Sequence, residues 1–230
     1  MNQQQVTTGI VLTRVDYGEA DRIITLLTPN FGKLRLMAKG VRRIKSKLAG
    51  GIELFSTCNI TFIRGKSDIG TLISSRLVTH YGGIVRDINR TMLGYDLIKQ
   101  LNKATEDEPE TEYFHVLEQS FQSLNDSTIN PELIKVWFSA QLLRLAGHTP
   151  NLQTEADGTK LDAGKTYEFS FDDGAFTYRP DATFGVGEIK FIRILFAGNS
   201  PSTLAKIQGV QVFQDKIAPL VQFMVQQYSR

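Results

Sequence analysis

Between Arg22 and Ile52 the chain carries eight cations and no acid: Arg22, Lys33, Arg35, Lys39, Arg42, Arg43, Lys45 and Lys47. Over all 230 residues, 26 Lys+Arg stand against 24 Asp+Glu, so the positive charge is local rather than global. Cations held on one surface suit a polyanion, because binding releases the counterions condensed on phosphates. Arginine adds a planar fork that grips two phosphate oxygens at once. Charged loops also keep β proteins soluble, but mixed signs would serve that end equally well. The expected phosphate contacts are Lys33, Arg35, Lys39, Arg42, Arg43, Lys45 and Lys47, with Arg64 and Lys66 extending the surface. Phe31, Phe55 and Phe62 lie near enough in sequence to offer base stacking, although aromatics in alternating strands usually face the core.

Other chemistry finds little support. Gly65-Lys66-Ser67 has the ending of a phosphate-binding loop, but the position five residues before Gly65 is Ile60 rather than glycine, and strands flank it where a helix should follow. Nucleotide hydrolysis is rejected there. His80, His115 and His148 show no metal-ligand spacing. Cys58 is the single cysteine, which excludes an internal disulfide and any cysteine-rich metal site, and its apolar surroundings predict a buried thiol. The acids from Glu106 to Glu112 read as a solvated helix entry. No catalytic residue, metal or cofactor is expected, and the chain is not read as an enzyme. MNQQQVTTG has no signal-peptide pattern, and no apolar run reaches about 18 residues. A soluble, cytoplasmic chain without membrane association is the expectation, so the sequons at Asn59, Asn89 and Asn125 carry no meaning.

The elements that must position these cations come first in the chain. Val6, Thr8, Ile10 and Leu12 alternate along one strand face, Asp16–Glu19 is a turn, and Arg22–Thr28 is a second strand. Pro29–Gly32 closes a hairpin into Lys33–Lys39, where Lys33, Arg35 and Lys39 lie opposite Leu34 and Leu36. A basic loop bracketed by Gly40, Gly50 and Gly51 follows, then a hairpin from Ile52–Ile63 and Thr71–His80. Five short strands in about 80 residues predict an OB-fold barrel. Helical spacing begins near Gly82, with Leu93, Leu97, Ile98 and Leu101 as one apolar face. A helix follows the acids, and another starts at Asn130-Pro131 and stops at Gly147, with Leu133, Trp137, Ala140, Leu143 and Leu145 as its apolar face. Residues 149–166 read as an exposed loop, and Tyr167–Tyr178 as a hairpin about Asp172-Asp173-Gly174. Residues 187–197 and 209–228 read as helices. The class is α+β: an N-terminal OB-fold β-barrel (1–80), then a helical domain (81–230) with an inserted loop and hairpin at about 149–180.

Particular stretches go further than pattern. Thr8–Leu12, Asp16-Tyr17-Gly18-Glu19-Ala20-Asp21-Arg22-Ile23, Leu26–Thr28, Phe31–Lys33, Ala38–Arg43, Lys45–Leu48 and Glu53–Phe55 resemble the RecO family of bacterial DNA repair proteins. The match is dense over about the first 65 residues and looser beyond, where Leu142–Leu152 resembles the helix leading into the family's C-terminal region. The resemblance implies a recombination mediator of the RecF pathway. Such a protein binds single- and double-stranded DNA, anneals complementary strands, and acts with RecR to load RecA on DNA coated by single-strand-binding protein, whose C-terminal tail it engages. RecF is a further implied partner, and a nucleoid-associated cytoplasmic location follows. Many members carry a four-cysteine zinc site, whereas Leu152–Ala175 here has no cysteine, so no zinc is expected. For the acidic, aromatic-ended tail of single-strand-binding protein, the candidate cations beside apolar faces are Lys135, Arg144, Lys190 and Arg193. The rival reading is a non-catalytic OB-fold scaffold that binds RNA or protein partners.

Overall fold

Alternating apolar residues in the first eighty positions build strands β1 (Gln4–Tyr17), β2 (Asp21–Thr28), β3 (Gly32–Ala38), β4 (Ser56–Ile63) and β5 (Ile69–His80). The structure is a computed structural model that describes residues 3–64, 68–106 and 110–228. The strands close a barrel in the order β1-β2-β3-β5-β4. The long β1 pairs with β4 along its first half and with β2 along its second. A register irregularity between Val11 and Thr13 falls where β1 changes partner, as bending into a closed barrel requires. A short parallel pairing, Arg35↔Ile69 to Met37↔Thr71, joins β3 to β5. This is the OB-fold topology, and the α+β class is as the sequence predicts.

Val11, Ile24, Leu26, Leu34, Leu36, Cys58, Ile60 and Phe62 belong to the buried barrel cluster. The face of β1 expected to be apolar, Val6 through Leu12, is not the one that enters this cluster. Val11, opposite Leu26, fills the interior, while Ile10, opposite Leu27, lies on the other side and is buried as well. Val6 is exposed. Alternation fails here because both barrel faces are covered locally: helix α3 (Thr111–Asn125) packs on β2. Burial pushes the Cys58 thiol up to about 12, which removes it as a nucleophile.

The barrel and the helices α1 (Gly82–Val85), α2 (Ile88–Ala104) and α3 form one compact unit, Met1–Ser127. The change from strands to helices comes at His80, but compactness divides the chain after Ser127. Asp87 caps α2 by accepting from the amides of Asn89 and Arg90. The buried Arg90 guanidinium donates to the carbonyls of Leu124 (2.9 Å), Asp126 (3.0 Å) and Ser127 (3.1 Å), which serves acceptors at and just beyond the end of α3. Phe55, at a positive φ of 53°, sets its ring edge-to-face against Tyr95 and Phe121.

The second unit, Thr128–Arg230, is built around α4 (Pro131–Leu145). Asn130 accepts from the Glu132 amide at 3.0 Å, Pro131 takes the first turn, and Gly147 ends the helix with φ 82°. Rather than one apolar face, α4 buries nearly its whole circumference from Leu133 to Leu143, because α5 (Val186–Phe196), α6 (Pro201–Leu204) and α7 (Val210–Tyr228) all pack on it. Residues 149–166 are not simply a loop. Strand β6 (Asn151–Glu155) pairs parallel with β8 (Ala175–Tyr178), which forms the expected hairpin with β7 (Tyr167–Ser170). The nearly buried Glu155 carboxylate accepts from the Tyr178 amide at 2.9 Å, a polar anchor that a hydropathy reading hides. Edge-to-face contacts among Phe169, Phe171, Phe176 and Phe184 hold the hairpin.

A Cβ at Gly94 would lie 2.6 Å from the buried Phe55 ring. Gly94→Ala should therefore destabilise the first unit by about 1–3 kcal/mol in denaturant unfolding, overriding its gain in helix propensity. A more stable variant would show that α2 does not press on Phe55.

Candidate nucleic-acid interface

The cross-strand row Asp16, Arg22, Ala38 marks one end of the barrel. The β1–β2 turn and the basic loop after β3 both leave from this end, so residues 16–21 meet residues 40–42. Arg22 Nε donates to Asp16 Oδ1 at 2.7 Å, and Arg42 Nε lies 3.5 Å from Asp16 Oδ2. The backbone adds to the seam: the Gly40 amide donates to Asp21 Oδ1 at 2.7 Å, and the Arg42 amide to the Ala20 carbonyl at 2.9 Å. Arg42 Nη1 also reaches the Gly18 carbonyl at 3.4 Å. Gly40, at φ 64°, makes the sharp entry into the loop. The Arg22 hydrogen bond, followed by the charges of Arg42, Arg22 and Arg14, holds the Asp16 carboxyl below its ordinary value.

Beyond this seam Arg42, Arg43, Lys45 and Lys47 are exposed, as are Lys39 and Arg35 on the outer side of β3. Among the described residues, Arg35, Lys39, Arg43, Lys45 and Lys47 form no ion pair, whereas Arg22 and Arg42 share Asp16. Lys33 differs from the expectation of a solvent-facing cation. It is half-buried, and its ammonium donates to the Thr105 carbonyl at 3.0 Å. Arg64 lies at the opposite end of the barrel with its guanidinium 5.3 Å from the centre of the Phe31 ring. Lys33 to Lys39 spans about 20 Å of extended chain, so the cations form a stripe along β3 that broadens at the loop. Lys66, with Gly65 and Ser67, lies outside the described residues, as do Asp107 and Glu108 of the acidic run; the flanking β4 and β5 are strands, as the rejection of a nucleotide loop requires. Phe55 and Phe62 are buried in the first unit, and Phe31 packs edge-to-face on Phe62. In sequence Asp16 opens a turn and Asp21 is one residue of a family-like stretch; their part in fixing the loop shows only once residues 16–21 and 40–42 are brought together.

The four tail candidates in the second unit are not one cluster. Lys135 and Arg144 are nine residues apart on α4, about half a turn out of phase. Arg144 Nε donates to Gln141 Oε1 at 2.9 Å, and Lys135 lies 3.9 Å from Glu132. Lys190 and Arg193 sit one turn apart on α5, with Lys190 exposed and Arg193 Nε donating to the Leu152 carbonyl at 2.8 Å. Arg193 lines a cleft of about 610 Å³ with Pro150, Leu152 and Phe196. His80 ends β5, His115 lies on α3 and His148 follows α4, and among the described residues no group of three or more His, Cys, Asp or Glu is placed to hold a metal. No helix among the described residues is long and apolar enough to cross a membrane.

Because the Asp16 carboxyl is depressed, its pairing with Arg22 and Arg42 is present above the ordinary aspartate range and is lost only as pH falls through the lowered folded value. An NMR titration should show Asp16 protonating below an unfolded reference peptide, with the Gly40 and Arg42 amides shifting in step. Titration at or above the reference would contradict the seam.

Two family models match the chain: the recombination protein O N-terminal model over residues 1–81 and the recombination protein O C-terminal model over residues 86–183. The DNA repair protein RecO of Halalkalibacterium halodurans is 32% identical over 145 residues, 63% of this chain and 56% of that protein. That of Rhodopirellula baltica is 35% identical over 147 residues, 63% and 54% respectively. That of Dehalococcoides mccartyi is 30% identical over 169 residues, 73% and 66%. The chain thus spans about half the length of the first two relatives and about two thirds of the third. With consecutive N- and C-terminal models matched in order, the chain belongs to the RecO family.

Proposed function

We propose that this chain is a DNA repair and recombination mediator that binds single- and double-stranded DNA through its barrel. It anneals complementary strands and helps to load RecA on DNA coated by single-strand-binding protein. RecR and RecF would be its partners, and the work would be done in the cytoplasm at the nucleoid. The observation that carries the reading is the exposed cation stripe of Arg35, Lys39, Arg42, Arg43, Lys45 and Lys47, anchored to the barrel at Asp16 and Asp21. The names of the relatives support it. Lys33 contributes by bracing β3 to the chain at Thr105 rather than by gripping a phosphate.

The mechanism needs no catalytic group. Two strands drawn to one cationic surface lose much of their mutual repulsion and meet at raised local concentration, so pairing accelerates without nucleotide hydrolysis. An OB barrel supplies the rigid support, and the backbone contacts ignore sequence. Reversing Arg42 and Arg43 to glutamate should weaken binding to every oligonucleotide alike. It should also lower the slope of log affinity against log salt by about 2, at roughly 0.7–0.9 per phosphate contact. Annealing measured by fluorescence, without ATP, should slow in step. Unchanged binding would move the DNA surface elsewhere; no DNA binding at low salt in the unaltered chain would favour the protein or RNA scaffold.

For the tail of single-strand-binding protein, we infer that the cleft of Pro150, Leu152, Arg193 and Phe196 is the receptor. An apolar wall with a cation beside it suits a peptide that ends in an aromatic residue among acids. A tail peptide should shift the NMR signals of Leu152 and Phe196, and should bind less tightly as salt rises. Shifts confined to other parts of the second unit would reject the cleft.

A further inference from the structure

Ile44 is the most exposed large apolar residue among those described, fully open to solvent at 105% of its reference area. Single exposed apolar side chains are common on proteins, so exposure alone says little. Its setting says more. It stands between Arg43 and Lys45, both exposed, in a loop that also carries the exposed cations Arg42 and Lys47. The loop is not free to fold back and cover it, because Gly40 and Arg42 are fastened to Asp21, Ala20 and Asp16. The chain turns tightly on either side: the Arg43 amide donates to the Gly40 carbonyl at 3.1 Å, and the Ser46 amide to the Arg43 carbonyl at 2.9 Å. A side chain of this kind is held outward by local structure and flanked on both sides by groups that attract anions.

We propose that Ile44 is a wedge that enters between neighbouring bases of a bound nucleic-acid strand while Arg43 and Lys45 hold the phosphates on either side. The proposal rests on the DNA-binding reading above. Phosphates and bases alternate along a strand at separations comparable to the spacing of neighbouring side chains. An apolar group between two phosphate-bound cations therefore faces the sugar and base level, where aliphatic side chains are known to unstack base steps. One isoleucine suffices for a wedge, whereas a membrane surface needs a larger apolar face. Unstacked bases have their pairing edges turned free, so the wedge would prepare a strand for annealing.

The test uses the full chain, a single-stranded oligonucleotide with one internal 2-aminopurine, and the variants Ile44→Ser, Ile44→Leu and Arg42→Glu/Arg43→Glu. Binding by the unaltered chain should raise 2-aminopurine fluorescence, the signature of unstacking. Ile44→Ser should bind roughly tenfold less tightly, as the loss of partial isoleucine burial implies. Its salt slope should be unchanged and most of the fluorescence rise lost, while Ile44→Leu keeps the rise. The side chain touches no core, so the circular dichroism of Ile44→Ser should match the unaltered chain. Equal affinity and an equal rise in Ile44→Ser, with binding lost on charge reversal, would overturn the wedge but leave the cationic surface standing. Loss of binding in neither variant would place the DNA surface elsewhere and overturn the wedge with it, whereas no binding by the unaltered chain at low salt would overturn the DNA-binding reading on which the wedge rests. A defect of Ile44→Ser confined to anionic vesicles, with DNA unaffected, would overturn the wedge in favour of a membrane contact.

Discussion

Five cations within residues 39–47 repel one another, and a loop that carries them keeps a shape only if something outside it pulls it down. Asp16 and Asp21 supply that pull. They stand in the last residues of β1 and the first of β2, at the barrel end from which the loop departs, and they take hold of it by a guanidinium at one point and by a backbone amide at the other. The Asp16 pair is solvent-exposed and contributes little to global stability. Its effect is on geometry, since it ties Arg42, immediately before Arg43, Ile44 and Lys45, to the barrel end. The antiparallel succession of β1, β2 and β3 makes this possible: it sets Asp16, Arg22 and Ala38 in one cross-strand row, so the turn and the loop share an end.

The same carboxylate also competes for charge. Arg22 gives Asp16 a hydrogen bond and Arg42 an ion pair, so the cations open to phosphate are those farther out, at Arg43, Lys45 and Lys47 and along β3. A polyanion would meet the outer cations first and compete with Asp16 for Arg42 only on closer approach. Anchoring and binding are thus divided among residues that look equivalent in a count of charge.

The barrel was readable in sequence because its signals are local: strand alternation, turn residues at Asp16–Glu19 and Pro29–Gly32, and an acid-free run. The choice of inward face on β1 was not, because helix α3 buries residues on the outside of the barrel and so removes the polar partner that alternation needs. Lys33 shares its strand side with Arg35, but the carbonyl that captures it belongs to Thr105, seventy-two residues on. In the second unit the caps of α4 were legible from Asn130, Pro131 and Gly147, whereas β6 was not, since a five-residue parallel edge strand anchored by a buried glutamate has no periodic signature. Lys135 and Arg144 likewise share a helix yet point to opposite sides, and grouping cations by element could not separate them.

The central claim is that the loop of residues 39–47 and the outer side of β3 meet the nucleic-acid backbone. Titrating the isotopically labelled chain with a short single-stranded oligonucleotide and following the backbone amides measures this most directly. The account predicts the largest shifts at Arg35 and from Lys39 to Lys47, shrinking as salt is raised, with Arg90 and its carbonyl partners unmoved. Shifts centred on another surface, or shifts at the loop that are indifferent to salt, would contradict it.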